Sequence, residues 1–355
     1  MKVVILSNLL PPNSRGGAEE IAMADAINLK ENGNDVIIIT LNPVNSFSIQ
    51  EILGIKVYLL PHKNIFNYFN IGSKTVFLRF LWHIIDTFNF ILASDIKYIL
   101  KKENPNLVIS HNLKGLSFLT PKYIKIGGFI NFQTIHDVSL YTPSGLIEYG
   151  KEDIFLHTGF LTNVYRFFTR KFFSYPEKLF FPSVWILNFY RKNNFFVNQE
   201  KIYRPNSIIL PDNEDSYNRE NFLYVGQLER HKGIMLLIEA FKEIEDLRLD
   251  IIGDGSLMEK IRKDISGCDN IKLYGKVEHS SLLKFYKKYK AVVVPSIVYE
   301  NAPNVVAEAI KYKTIVIVSK IGGAYELIKE GENGYTFIPG DKKDLIEKIR
   351  IVSGK

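Results

Sequence analysis

Apolar positions in this chain follow two alternating patterns. Short β-branched runs of strand length give way to longer stretches in which apolar residues recur every three or four positions, as strands followed by helices do. In the first half, residues 3–7 read as a strand and 18–32 as a helix, with Ile21, Ala22, Ala26 and Leu29 on one face and Gly33 as its stop. Residues 36–40 are an unbroken β-branched run, as a strand buried on both faces requires. Further strands are expected at 55–60, 107–110 and 129–134. The apolar stretch 76–93 carries Arg79, His83 and Asp86, so it reads as an amphipathic or buried helix and not as a membrane span. Residues 141–175 are irregular and rich in aromatics, more like a lid or an acceptor surface than scaffold.

A cleaner series follows the Pro- and Asp-rich stretch 204–215. Residues 222–225, 249–252, 271–273, 291–294 and 315–318 read as five parallel strands, with helices at 233–244, 257–265, 281–289 and 304–312 between them. Strands alternating with helices in short steps imply a doubly wound parallel sheet. With 355 residues there is room for two such domains. The expectation is therefore an α/β protein of two facing Rossmann-like domains, 1–206 and 207–355, with the site in the cleft between them at the carboxyl ends of the strands.

Charge changes the picture more than composition does. The formal net charge of +7 lies wholly in residues 1–210, with 22 basic against 15 acidic side chains, while the rest of the chain balances 23 against 23. One basic group, Arg166, Arg170, Lys171 and Lys178, is interleaved with Tyr165, Phe167, Phe168, Phe172, Phe173 and Tyr175. Two readings stand: a face for anionic lipid, or core aromatics rimmed by solvated cations. No nucleic-acid module accompanies the charge, so nucleic acid is not an expected partner. The lone Cys268 can form neither an intramolecular disulfide nor a cysteine-based metal site. It suits a reducing, cytoplasmic setting, peripheral on the inner face of the cell membrane under the lipid reading.

The candidate chemistry centres on Glu300 and Glu308, the first in the loop after the strand 291–294 and the second inside the following helix. Carboxylates accept hydrogen bonds from paired hydroxyls, which suits a ribose or hexose diol. Backbone N–H groups at the helix start, near Asn304 and Val305, can hold a phosphate. The plainer alternative is a capping acid and a surface ion-pair acid.

Other segments fall in a telling order: Gly16-Gly17-Ala18-Glu19, Ile135-His136-Asp137, Pro182-Ser183 and Pro205-Asn206. They continue with Gly226 to Gly233, a loop holding Arg230 and Lys232, then Gly253-Asp254-Gly255, Gly322-Gly323, Gly331 with Gly334, and Gly340-Asp341. Together with two glutamates separated by seven residues, the set resembles the family 4 glycosyltransferases, retaining enzymes of the GT-B fold. The resemblance covers nearly the whole chain. It implies that Glu308 binds the nucleotide ribose, Glu300 the donor sugar's hydroxyls, and Lys232 the departing diphosphate, with Arg230 beside it. It implies that Gly16 and Gly17 bring backbone N–H groups to that diphosphate and that His136 sits by the transferred sugar. Gly226, Gly253, Asn301, Asn304 and Val305 complete the implied donor-binding set. Taken without the resemblance, His136 reads equally as a structural histidine, Gly16-Gly17 as a strand-to-helix turn, and Lys232 as a solvated lysine.

Two departures from the family stand out. Gln227 occupies the place where the family commonly has arginine, and Arg230 is the candidate to supply that charge. The chain also ends 14 residues after Asp341, where the family continues with further helices, which implies a truncated C-terminal domain or looser domain closure. No Asp-x-Asp triplet occurs, so the expected reaction needs neither metal nor cofactor beyond a nucleotide-diphosphate sugar. The expected acceptor is a glycan or a lipid-linked precursor of cell-surface polysaccharide. Two alternatives remain at this stage: a sugar-nucleotide epimerase of the same fold, and a non-catalytic sugar-nucleotide-binding protein.

Overall fold

The computed structural model describes residues 1–14, 16–206 and 219–354. Most of the stretch 204–215, and with it the expected domain boundary at 206/207, lies outside the described residues. The chain forms two compact units, one of Met1–Gly145 with Ile154–Ser207, the other of Leu146–Asp153 with Ile208–Lys355.

The strands of the first unit are β1 Lys2–Leu6, β2 Asp35–Leu41, β3 Ser48–Ile52, β4 Ile55–Leu60, β5 Leu107–Ser110, β6 Asn131–Thr134, β7 Lys178–Phe181 and β8 Glu200–Tyr203. They form one sheet in the order β3-β4-β2-β1-β5-β6-β7-β8. Every neighbouring pair is parallel except β3 with β4, a hairpin at the sheet edge. Its helices are α1 Gly17–Glu31, α2 Val76–Thr87, α3 Phe90–Glu103, α4 Thr120–Ile126, α5 Phe155–Thr158, α6 Phe160–Phe172 and α7 Val184–Lys192. The second unit contains β9 Glu220–Val225, β10 Leu249–Ile252, β11 Ile271–Gly275, β12 Tyr289–Val294, β13 Ile315–Ser319 and β14 Gly334–Phe337. These run all-parallel in the order β11-β10-β9-β12-β13-β14. Its helices are α8 Ile234–Glu243, α9 Met258–Asp264, α10 His279–Tyr286, α11 Asn304–Lys311 and α12 Lys342–Ser353.

The second sheet is covered on both faces because successive strand residues point to opposite sides. Phe222, Tyr224, Ala291, Val293 and Ile317 pack with Phe241, Ile261 and Leu345 of α8, α9 and α12. Their neighbours Leu223, Val292, Val294, Val316 and Val318 pack with Tyr286, Val306 and Ala309 of α10 and α11.

Several expectations need correction. The stretch 141–175 is not irregular throughout, for it holds α5 and the thirteen-residue α6. The helix expected at 281–289 ends at Tyr286, and Tyr289 already opens β12. The second sheet has six strands and not five, β14 being short and opened by a glycine. The stretch 76–93 is two helices, α2 and α3, bent by 42° at their break. Of the basic and aromatic group near 166–175, Arg166, Phe172 and Phe173 are buried. Arg166 donates to the carbonyls of Tyr141 and His157, so it is a structural cation inside the unit. No single helix among the described residues is long and apolar enough to cross a membrane.

Candidate active site

In a doubly wound sheet the strand order reverses at one place, and the helices that follow the two strands there leave to opposite faces, which makes a crevice at the strand ends. In the second unit that place lies between β9 and β12. The loop after β9 runs from Gly226 to Gly233, and the loop after β12 runs from Pro295 to Pro303. Gly233 has φ +70°, and a Cβ there would stand 1.8 Å from the Pro295 carbonyl oxygen, so only glycine lets the loops touch. The Ile297 N–H donates to the His231 carbonyl at 3.0 Å and closes the same contact.

This contact delivers Lys232 to Glu300. The Lys232 ammonium donates to the Glu300 carboxylate at 2.9 Å, and the Ser296 hydroxyl donates to its other oxygen. Both side chains of the ion pair are partly accessible, 24% for Lys232 and 15% for Glu300. Burial alone would raise the Glu300 carboxyl, but Lys232 and the Ser296 hydroxyl outweigh it and hold the group below its ordinary value. From behind, the Gly323 N–H donates to the Glu300 carbonyl at 2.7 Å. The close approach depends on Gly322, where a Cβ would lie 2.1 Å from the same oxygen. An ammonium has three donors, so after bonding Glu300 it can still bond a second anion.

The other residues implied for the donor stand as follows. Glu308 lies on the buried side of α11 and accepts a hydrogen bond from the Tyr286 hydroxyl at 2.8 Å. Asn304 and Val305 open α11, whose N-cap is Pro303, a residue with no polar side chain to close the helix end. Asn301 is buried in the preceding loop. Arg230 is exposed on the turn that carries Lys232. The N–H groups of Gly226 and Gly253 donate to the carbonyls of Ile252 and Gly275 at 3.1 and 2.9 Å, so both serve the sheet.

A brace missed by the sequence reading comes from Leu146–Asp153. Tyr149 donates to the Ile297 carbonyl at 2.9 Å, Tyr299 donates back to Ile147 at 3.0 Å, and the Tyr299 hydroxyl donates to Glu152 at 2.8 Å. The segment thereby pairs with the loop that holds Glu300. Its sequence carries no strand-like run, so this pairing left no pattern to read.

In the first unit the reversal of strand order lies between β1 and β5. Gly16 and Gly17 follow β1 at the start of α1, and the Gly16 N–H donates to the Glu19 carboxylate at 3.1 Å. His136 follows β6 and lies 3.0 Å, Nε2 to Nδ1, from His111 at the end of β5. His111 Nε2 stands 3.7 Å from Asp25, which is paired with Arg204 at 2.8 Å. Burial pushes the His136 imidazole down to about 4, against a smaller upward pull from Asp137, and holds His111 well below its usual range. Both rings are therefore neutral at physiological pH. The sequence reading missed His111, although a histidine directly after a buried strand is a signal that could have found it. Among the described residues, no three His, Cys, Asp or Glu side chains gather as a metal site would.

Residues 209–353 match the model of the family "Glycosyl transferases group 1". Over 346 residues the chain is 22% identical to an uncharacterized 42.6 kDa protein in the cps region of Klebsiella pneumoniae, covering 94% of this chain and 89% of that one. It is 27% identical to the capsular polysaccharide biosynthesis glycosyltransferase CapM of Staphylococcus aureus, covering 73% of this chain and 71% of CapM. Sucrose-phosphate synthase from Thermosynechococcus elongatus superposes with a TM-score of 0.76 at 16% identity, over 100% of this chain and 90% of that one. The chain thus has the fold of the GT-B glycosyltransferases, two α/β units with parallel sheets, and its residues 209–353 are similar to the glycosyl transferases group 1 family.

Proposed function

We propose that the protein is a retaining, metal-independent glycosyltransferase. On this reading it moves a sugar from a nucleotide-diphosphate sugar to a glycan or lipid-linked precursor of cell-surface polysaccharide. The observation that carries the proposal is the Lys232–Glu300 pair at the point where the strand order of the second sheet reverses. Glu300 accepts from the hydroxyls of the donor sugar, and Lys232 turns its remaining donors to the diphosphate. As the bond between sugar and diphosphate breaks, negative charge grows on the leaving oxygen. The ammonium and the first amides of α11 stabilise that charge without rearranging, which is where such sites gain most of their rate. Glu308 binds the ribose from the buried side of α11. Retention follows if the acceptor hydroxyl attacks from the face the diphosphate leaves. The likeness to CapM supports the acceptor class.

The test is a thermal-shift screen with UDP-, GDP- and ADP-sugars, followed by transfer assays with the donor that stabilises the protein. Glu300→Ala and Lys232→Ala should each lower the rate of transfer at least ~10²-fold and leave the fold intact. Unchanged rates in both variants would refute the site. Epimerised donor in the absence of acceptor would favour an epimerase, and donor binding without transfer across a broad acceptor panel would favour a binding protein.

A further inference from the structure

A helix on the surface of a soluble domain normally turns its apolar stripe inward and its polar face to water. In the first unit α2 and α6 do the reverse. The exposed stripe of α2 is Phe77, Phe80 and Ile84, continued by Phe88 at its end, at helical spacing. Its inward face carries Asp86 and Thr87 beside Trp82. On α6 the exposed apolar positions are Phe160, Leu161, Val164 and Phe167, while Thr162, Arg166 and Thr169 are buried together with Phe172. Phe77 keeps 67% of its surface accessible, Phe160 76% and Phe167 60%. The two helices are neighbours, because the Phe88 ring packs edge-on against half-buried Phe168 at 4.9 Å and buried Phe172 at 5.7 Å, and Phe168 in turn packs on exposed Phe167 at 5.4 Å. An apolar surface of this extent marks a binding face.

Charge selects what covers it. Residues 52–94 contain one acidic side chain, Asp86, which is buried, and residues 154–176 contain none. Exposed Lys63 and Arg79 belong to the first stretch and exposed Arg170 and Lys171 to the second. Apolar rings rimmed by cations, with no exposed acid within either stretch, match an interface of acyl chains below anionic headgroups. A second copy of the chain fits worse, since a two-fold contact through this face would set like-charged rims together. A spanning arrangement is excluded by α3, whose Leu92, Ala93, Ile96 and Leu100 are committed to the protein core.

We propose that the neighbouring outer faces of α2 and α6 bind the surface of an anionic lipid bilayer. The proposal goes beyond the transferase reading and stands or falls without it, because binding is measured with no donor or acceptor present.

The experiment is co-sedimentation of the full chain with vesicles of phosphatidylcholine alone, and of equal parts phosphatidylcholine and phosphatidylglycerol. The protein should bind the mixed vesicles at least ~10-fold more strongly than the neutral ones. That preference should shrink in high salt, where the screening length falls from about 10 Å to about 3 Å. Phe77→Asp with Phe167→Asp should reduce binding to the mixed vesicles at least ~10-fold, and Arg79→Glu with Lys171→Glu should remove the preference for anionic lipid. All four positions are exposed, and unchanged thermal melting would show the variants folded. Equal binding to both vesicles, or binding to neither, overturns the proposal. So does a concentration-dependent dimer that Phe77→Asp abolishes, since the face would then pair copies of the chain.

Discussion

Lys232 and Glu300 are 68 positions apart in the chain, yet their side chains meet at 2.9 Å through two loops locked together at Gly233 and Pro295. Removing the ammonium has two separable effects. Lys232→Ala should lower kcat by about 10²–10³, the usual cost of losing one preorganised donor at a developing oxyanion. It should also cost about 2 kcal/mol of stability, less than a fully buried pair would, because both groups keep contact with water. Chemical denaturation reads the second effect and steady-state kinetics the first. A full loss of rate with an unchanged unfolding midpoint would mean that the pair is not structural at all.

Gly322 tests whether the Glu300 loop is held from behind. Gly322→Ala forces a Cβ to within 2.1 Å of the Glu300 carbonyl oxygen, at a residue with φ +68°. Gly331 has φ +76° and open space around it. Gly331→Ala should therefore cost about 1 kcal/mol from backbone strain alone, whereas Gly322→Ala should cost clearly more, on the order of 3 kcal/mol. It should also weaken donor binding by displacing Glu300. Equal unfolding midpoints in the two variants would show that the loop yields easily.

The second unit was the more legible in the sequence because its strands are buried on both faces. Runs such as Val292–Val294 and Val316–Val318 have no solvent side and stand out as continuous apolar blocks. Ser48–Ile52 escaped notice because it is an edge strand with Gln50 and Glu51 exposed. The α6 helix escaped for a different reason. Its apolar positions recur at helical spacing but face solvent, while Thr162, Arg166 and Thr169 are buried, so the pattern read alone sends the wrong face inward. For the site, Glu300 and Lys232 were legible as residue types, but their pairing was not. That pairing depends on Gly233 and Ser296, whose roles exist only once the strands lie side by side.

Tyr286 isolates the role given to Glu308. The tyrosine hydroxyl donates to that buried carboxylate at 2.8 Å, and Tyr286→Phe removes this bond with little change in volume. A buried acceptor losing one partner costs about 1–2 kcal/mol. If Glu308 binds the ribose equally in the ground and transition states, the KM for donor should rise while kcat stays near its original value. A fall in kcat at constant KM would instead place Glu308 nearer the reacting bond.

His136 supplies a test in pH. Its native imidazole is held down to about 4 by burial, whereas in the unfolded chain it titrates near the ordinary 6.5. Between those values the unfolded chain takes up a proton that the native one refuses. The stability tied to a neutral His136 is thus fully present above about 6.5 and is lost as pH falls towards about 4. His111 and His83, both lowered by burial, act in the same sense. Asp86 acts in the opposite sense, since burial raises it to about 7 and its native form keeps the proton. Because these contributions overlap, the wild-type curve alone cannot isolate one of them, but a difference can. The melting temperature of the wild type minus that of His136→Gln should shrink as pH falls from about 6.5 to about 4. Two parallel curves would show that His136 titrates normally, and the buried, neutral His111–His136 pair would have to be abandoned.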